Sequence, residues 1–241
     1  MFRTFLVLFS LLIFFILSIP AYLIEIIVGL FSKKTRTNIA CFIVRYLFKF
    51  FLFLSGTRYT VKGLENIPDD RAVLYVGNHN SFFDIVLSGA VIPTSIRYVS
   101  KKEIKKVPFI NVWMYYMNCL FIDRKDVRQG LQTINKGAEL VKEGWSIFIF
   151  PEGTRSKTGE MAAFKEGSFK IAQKSGCPVV PVAMTNTSSI LEKQFPKIRS
   201  ADVTIEFGKP IYIDELPKEH KKKLGAISQE AIQNMIDENS K

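Results

Sequence analysis

Ala72-Val-Leu-Tyr-Val-Gly-Asn-His79-Asn-Ser-Phe-Phe-Asp84-Ile-Val-Leu-Ser-Gly-Ala90 is the stretch that decides the fold. Ala72–Val76 is a short apolar, β-branched run of strand length, and Phe82–Ala90 reads as a helix. Between them sits His79, one of only two histidines in the chain, and Asp84 follows five positions on, as the helix begins. An imidazole at the end of a strand, faced by a carboxylate, is held in one tautomer and made basic enough to take a proton from a hydroxyl. A His followed by an Asp at this distance also arises by chance in many proteins, so the pair alone does not define a site.

Outward from this stretch the strand-to-helix pattern repeats. Cys119–Ile122, Ser146–Phe150, Pro178–Met184 and Val203–Phe207 read as strands; Asp126–Glu143, Gly167–Lys174 and Lys218–Asp237 read as helices. Gly144 and Gly176 stand where helix C-terminal glycines would. Such alternation over residues 56–241 implies an α/β domain: a mostly parallel central sheet flanked by helices, with active-site residues on loops at the carboxyl ends of strands. In the tail helix, Leu224, Ile227, Ala231, Met235 and Ile236 define one packing face.

The first 55 residues differ in kind. The chain is 48% hydrophobic with 21 Phe, and no charge occurs from Phe5 to Ile24. That run is long enough to cross a bilayer's hydrocarbon core, although Pro20 would kink it and Glu25 closes it. After a basic turn, Lys33-Lys34-Thr-Arg36, a second apolar stretch runs from Ile39 to Leu54, with Arg45 and Lys49 one helical turn apart. Their stems would lie along lipid while their heads reach the headgroups. Two helices joined at residues 32–38 make either a membrane hairpin or a pair submerged in one leaflet; aromatic content and charges on one side of the second helix favour the leaflet arrangement. A cleavable signal peptide fits less well, because Arg3 is a thin positive region and no Ala-x-Ala-like site follows. A buried, soluble helical pair is the remaining alternative. Residues 1–55 are therefore expected to be a membrane-anchoring helical pair.

A net charge of +11 would also suit a nucleic-acid binder. The basic residues, however, cluster beside apolar segments and in Lys101-Lys102-Glu-Ile-Lys105-Lys106, which better fits an anionic bilayer surface, and no nucleic-acid motif accompanies the charge. Cys41, Cys119 and Cys177 are scattered on apolar segments without CxxC spacing, so reduced thiols and no zinc site are expected.

Two further loops follow strands and carry groups suited to an anion. Asp123 and Arg124 come after Cys119–Ile122, and Pro151-Glu-Gly-Thr-Arg155-Ser156 after Ser146–Phe150. The planar fork of arginine gives a phosphate two parallel hydrogen bonds, and two arginines with a lysine neutralise a phosphomonoester. Each arginine taken singly is more often a surface or structural ion pair. Gly153 permits a close backbone approach or a positive φ.

Together these loops resemble the glycerophospholipid acyltransferase family, and within it the bacterial 1-acyl-glycerol-3-phosphate type. The matching blocks are Asn78-His-Asn-Ser-Phe-Phe-Asp84, Leu120-Phe-Ile-Asp-Arg124, Phe150-Pro-Glu-Gly-Thr-Arg-Ser156 and Val180-Pro-Val182, with Lys101-Lys-Glu and Phe164-Lys-Glu-Gly167 between them, over roughly residues 60–210. One departure stands out: where the second block usually opens with glycine six residues before its arginine, this chain has Asn118. The resemblance implies that His79 is the general base and Asp84 its orienting partner. It also implies that Glu152, Gly153 and Thr154 belong to the acceptor pocket, and that Arg124 and Arg155, with Lys101, contact phosphate.

The implied reaction moves a fatty acyl chain from acyl carrier protein or CoA to the 2-hydroxyl of 1-acyl-glycerol-3-phosphate, giving phosphatidic acid. Glycerol-3-phosphate or another lysophospholipid is the alternative acceptor, and a non-catalytic lipid-binding protein the distant alternative. Arg155 argues for a bare phosphate, since headgroup-acylating relatives often lack that arginine. The implied partners are lysophosphatidic acid, an anionic bilayer surface and the thioester donor, with no nucleic acid; the implied location is the cell membrane, catalytic domain on the cytoplasmic face. A thioester is already activated, so no metal or nucleotide cofactor is expected, and neither a P-loop nor GxGxxG is present. Without a GxSxG context, a serine-hydrolase route has no support.

Overall fold

The computed structural model describes residues 1–156 and 158–240. In chain order its elements are α1 (Phe2–Phe31), α2 (Lys33–Ser55), β1 (Arg58–Lys62), β2 (Leu74–Gly77), α3 (Phe83–Val91), β3 (Ile96–Lys101), α4 (Ile110–Tyr116), β4 (Leu120–Ile122), α5 (Val127–Lys142), β5 (Ser146–Ile149), α6 (Lys170–Ser175), β6 (Val179–Thr185), β7 (Asp202–Phe207) and α7 (Leu224–Asn239). The strands form one sheet in the order β1-β7-β6-β2-β5-β3-β4. The five strands from β6 to β4 are parallel, β7 reverses against β6, and β1 runs alongside β7.

Period-two alternation sorts the central strands' side chains between two layers. Leu74 and Val76 of β2, with Ile147 and Ile149 of β5, join a core closed by α5, α6 and α7. Tyr75 and Phe148, on the same strands, face the other way into a core closed by α1 to α4. Both faces of the middle of the sheet are covered, as a parallel sheet requires. The amphipathic α5 shows how the sequence achieves this: Asp126 caps it by accepting from the Gln129 N–H at 3.0 Å, Ile134, Ala138 and Val141 turn inward, and Gly144 at φ 89° ends it.

Several boundaries differ from the sequence reading. The expected helix Gly167–Lys174 is a 3-10 turn, Glu166–Phe169, followed by α6. The tail helix begins at Leu224 rather than Lys218, because Lys218 to Lys223 would load its positive N-terminal end with cations. Its buried stripe is Leu224, Ser228, Ile232 and Met235, so Ile232 belongs to the packing face and Ile227 only borders it. Three elements, β1, β3 and α4, were not read from the sequence at all.

The N-terminal pair is more tightly integrated than its apolar sequence implied. The turn is not residues 32–38 but Ser32 alone, whose hydroxyl accepts from the Thr35 N–H at 3.1 Å, so Lys33, Lys34 and Arg36 lie inside α2. The helix α1 runs unbroken through Pro20. Its stripe of Val7, Leu11, Phe14, Ser18, Ala21 and Tyr22 packs on the domain, while Phe5, Phe9, Leu12, Ile16, Leu23 and Ile27 are exposed. Four hydrogen bonds fasten the helix: Arg3 to the Ser55 carbonyl (2.8 Å), the Ile198 N–H to the Thr4 hydroxyl (2.9 Å), the Trp113 indole to the Ser18 hydroxyl (2.8 Å), and the Tyr22 hydroxyl to the Phe109 carbonyl (2.9 Å). Arg45, expected to reach toward headgroups, instead donates to the Thr94 carbonyl across the seam between α2 and the domain. Residues 1–55 thus carry no core of their own; Ala40, Val44 and Leu52 share one with Tyr75 and Leu87.

Candidate active site

The adjacent strands β2 and β5 carry the site at their carboxyl ends, where β2 leads across β5 to β3 and β5 leads across β2 to β6. The loop after β2 is fixed first by Asn78. Its carboxamide donates to the Met184 carbonyl (2.9 Å) and accepts from the Met184 N–H (2.8 Å), extending the pairing with β6 beyond the strand.

His79 then stands between three supports. Its Nδ1 lies 2.9 Å from Asp84 Oδ2, its backbone N–H donates to Glu152 Oε1 (2.7 Å), and its carbonyl accepts from the Ser156 N–H (2.8 Å). The ring stacks on Phe150 with centroids 4.0 Å apart. With Nδ1 turned to the carboxylate, Nε2 makes no hydrogen bond among the described residues, which leaves it available to a ligand hydroxyl.

Asp84 is fully buried in the first turn of α3. Its Oδ2 also accepts from the backbone N–H groups of Asn80 and Ser81, both at 2.7 Å, and its Oδ1 from the Thr187 hydroxyl. A charge this deep is tolerable because each oxygen is hydrogen-bonded and the helix N-terminus favours an anion.

The remaining expected site residues fall into different roles. Glu152 is 3% exposed, and its two oxygens are taken by the N–H groups of His79 and Ala162 (2.9 Å). Burial holds its carboxyl above the ordinary glutamate value, partly opposed by those two bonds. Gly153 adopts φ 79°; a Cβ there would lie 2.7 Å from Lys165 Nζ and 3.7 Å from the Arg124 guanidinium carbon. Two exposed cations therefore flank one glycine, and among the described residues neither is in a salt bridge. Thr154 is exposed beside them. Arg155 is spoken for on one edge: its NH1 lies 3.1 Å from Glu192, and its guanidinium lies over Phe82 at 3.6 Å. Lys101 ends β3 in register with Ile122, close in the sheet to the Arg124 loop. Its neighbour Lys102 makes the ion pair there, with Asp123.

Three residues of this assembly were missed in the sequence. Thr187 and Glu192 follow β6 outside any motif; Glu192 accepts from the Ser81 hydroxyl (2.6 Å) and the Phe82 N–H (2.8 Å) as well as from Arg155. Lys165 stood in view within Phe164-Lys-Glu-Gly167, a block with no role attached to it. Asn118, the departure from the second block, sits at φ 55°. The position needs the left-handed region that glycine enters freely, and asparagine is a residue that tolerates it.

A His–Asp pair at the strand ends, with cations on the next loops, is a general-base arrangement beside a surface suited to an anion. The acyltransferase family profile matches residues 58–185, and the chain belongs to that family. It is 33% identical over 185 residues to the 1-acyl-sn-glycerol-3-phosphate acyltransferase of Saccharomyces cerevisiae, covering 76% of this chain and 60% of that one. With the 1-acyl-sn-glycerol-3-phosphate acyltransferase of Borreliella burgdorferi it is 30% identical over 194 residues, covering 80% and 78%. The crystal structure of the 1-acyl-sn-glycerophosphate acyltransferase of Thermotoga maritima superposes with a TM-score of 0.84 over 99% of this chain and 95% of that one, at 24% identity. The chain thus spans nearly all of that structure but only 60% of the yeast relative's length.

Proposed function

We propose that this protein transfers a fatty acyl chain from a thioester, on acyl carrier protein or CoA, to the 2-hydroxyl of 1-acyl-glycerol-3-phosphate, forming phosphatidic acid. The observation that carries the reading is the His79–Asp84 pair, its Nε2 open, one loop away from the cations Arg124 and Lys165 at Gly153.

In this mechanism the acceptor's phosphate is held by Arg124 and Lys165, with the free edge of Arg155 and Lys101 as further cations. The 2-hydroxyl then attacks the thioester carbonyl while its proton passes to His79 Nε2. Asp84 stabilises the imidazolium so formed, and its four hydrogen bonds keep it from moving as charge develops. Collapse of the tetrahedral intermediate breaks the C–S bond, and the proton on His79 goes to the departing thiolate. No acyl-enzyme is required, and no step calls on a cofactor.

The exposed apolar faces of α1 and α2 support attachment to a membrane, since a contiguous patch of this kind marks a lipid or protein contact. In our reading the pair lies in one leaflet of the cell membrane, on its cytoplasmic face, where a long-chain acceptor resides. Purified protein offered acyl carrier protein and CoA thioesters against a panel of lysophosphatidic acid, glycerol-3-phosphate and lysophospholipids with larger headgroups tests the assignment. Phosphatidic acid is the expected product; preference for any other acceptor overturns the substrate, and no transfer overturns the reaction.

A further inference from the structure

The connection from the end of β3 into α4 has a cationic half and an apolar half. Its first half is a 3-10 turn, Lys102–Lys106, in which Glu103 is the only acid. Lys102 pairs with Asp123, whereas Lys105 and Lys106 are exposed and in no salt bridge among the described residues. The second half is Val107-Pro-Phe-Ile110, where Val107, Pro108 and Ile110 are exposed around a half-buried Phe109. Phe109 itself sits at φ 63° and ψ -51°, and the Ile110 N–H donates to the Pro108 carbonyl at 2.7 Å, a γ-turn of the rare, strained hand. A bulky residue stays in such a pose only where its surroundings hold it. Here α1 does so: the Phe109 ring stacks on Phe15 with centroids 4.9 Å apart, and its carbonyl accepts from the Tyr22 hydroxyl at 2.9 Å. The turn thereby sends one ring to α1 and leaves three apolar side chains facing outward.

Two properties suit this tip to lipid rather than water. The first is continuity. Phe15 stands on α1 between the inward stripe of Leu11, Phe14 and Ser18 and the exposed Leu12, Ile16 and Ile19, so its stack with Phe109 joins the tip to the helix face read above as lipid-facing. The second is the backbone. The N–H groups of Val107, Ile110 and Asn111 donate to carbonyls within the segment, the Phe109 carbonyl accepts from the Trp113 N–H as well as from Tyr22, and Pro108 has no N–H to satisfy. A segment whose polar backbone groups are already paired leaves water without losing those bonds.

We infer that Val107–Ile110 dips into an anionic bilayer beside α1, with Lys105 and Lys106 on the headgroups, as a second membrane contact made by the α/β body itself. The inference rests on the membrane reading of α1 and α2 above. Unpaired cations next to an apolar tip match the order of a bilayer surface, where charge lies outside and hydrocarbon within. Continuity with the apolar face of α1 favours lipid over a protein partner. A helix alone leaves the body free to roll about the helix axis; a contact off that axis removes the freedom. Lys101, at the other end of the same segment, is one of the cations proposed for the acceptor's phosphate, so the tip ties that edge of the site to the headgroup level.

The test places a fluorophore at single surface positions of the full chain. Cys41, Cys119 and Cys177 are all buried, so a thiol-reactive nitrobenzoxadiazole labels an introduced surface cysteine in preference to them. Ile110→Cys reports from the tip, Ile16→Cys from the exposed face of α1, and Val127→Cys from the start of α5, in the layer on the other side of the sheet; Val107→Cys replaces Ile110→Cys should that variant fail to fold. Each is reconstituted on vesicles of phosphatidylcholine alone and of phosphatidylcholine with phosphatidylglycerol. The Ile16 and Ile110 probes should be quenched by spin-labelled lipid and shielded from iodide at least ~3-fold relative to the Val127 probe. Lys105→Gln with Lys106→Gln should lower lipid quenching at Ile110 by about half or more on the phosphatidylglycerol vesicles and leave Ile16 unchanged; no change at Ile110 would overturn the headgroup role of the lysines. An Ile110 probe left in water beside a lipid-quenched Ile16 probe overturns the inference while the helix pair keeps its place in the membrane. Water at both positions overturns the membrane reading too. Equal lipid quenching at Val127 and Ile110 overturns a defined contact face, and an Ile110 probe that ignores vesicles but responds to added acyl carrier protein hands the tip to a protein.

Discussion

Thr187→Val is the most informative single change, because it alters the support of the proposed base without touching that base. Asp84 is fully buried and accepts four hydrogen bonds, three on Oδ2 and one, from the Thr187 hydroxyl, on Oδ1. Valine matches threonine in shape, so no cavity forms and packing is held constant, but Oδ1 then faces a methyl group. A hydrogen bond to a buried charged group contributes about 1.5–3 kcal/mol. In a chain of this size each kcal/mol corresponds to roughly 2–4 °C, so the melting temperature should fall by roughly 5–9 °C at the middle of that range. Turnover should drop by about tenfold or more, since a carboxylate free to tilt stabilises the imidazolium less, and tenfold corresponds to only about 1.4 kcal/mol. Thr187→Ser restores the hydroxyl and should recover turnover to within about twofold, losing only the stability of one methyl group, about 0.8 kcal/mol. Acyl transfer at saturating donor and acceptor, with thermal melts of all three proteins, decides the matter. A valine variant with wild-type turnover and melting temperature would show that Oδ1 needs no partner and that Asp84 is not held as described.

His79→Ala should lower turnover at least ~100-fold with circular dichroism unchanged, because it removes the base, whereas His220→Ala, exposed in a lysine-rich turn, should leave turnover intact. Lys165→Ala and Arg124→Ala should each raise the acceptor KM by roughly tenfold with little effect on the donor, as expected for a phosphate bound in the ground state; Arg155→Ala should also lower kcat, since Glu192, which holds the Ser81–Phe82 turn, then loses its cationic partner. Glu152→Gln gives a pH test. Because the folded carboxyl holds its proton more tightly than the unfolded one, the stability it contributes falls as pH rises above the ordinary glutamate value, so denaturant curves from pH 4 to 7 should show wild type minus variant decreasing with pH. Burial pushes the Cys119 thiol up to about 12 and raises Cys177 as well, so both should resist alkylation at pH 8 until the protein is unfolded.

The sequence disclosed the middle of the sheet because those strands are apolar on both faces and punctuated by glycines that end the preceding helices. It hid the edges. Arg58–Lys62 of β1 alternates polar and apolar residues over only five positions and is almost wholly exposed, and Ile96–Lys101 contains Arg97, a fully buried arginine stacked on Trp145 at 3.6 Å where an apolar residue would be expected. The His–Asp pair was legible because its partners are close in sequence. Thr187 and Glu192 were not, since they reach Asp84 and Ser81 from more than a hundred residues away, a distance that only the return of β6 beside β2 closes. The assignment of Glu152 to the acceptor pocket meets a similar limit: its block marks it as important, whereas geometry shows both its oxygens holding backbone N–H groups.

The four hydrogen bonds that fasten α1 give the protein an attitude as well as an attachment. A helix hung on a flexible linker would let the α/β body tumble above whatever surface covers its apolar face; one tied near its start to Ser55 and Ile198 and farther along to Phe109 and Trp113 cannot swing. The heading of the catalytic loops is therefore inherited from the helix, like that of a rudder fixed to its hull. Lengthening the join between α2 and β1 would therefore lend the α/β body no reach, because the helices and the body share one core.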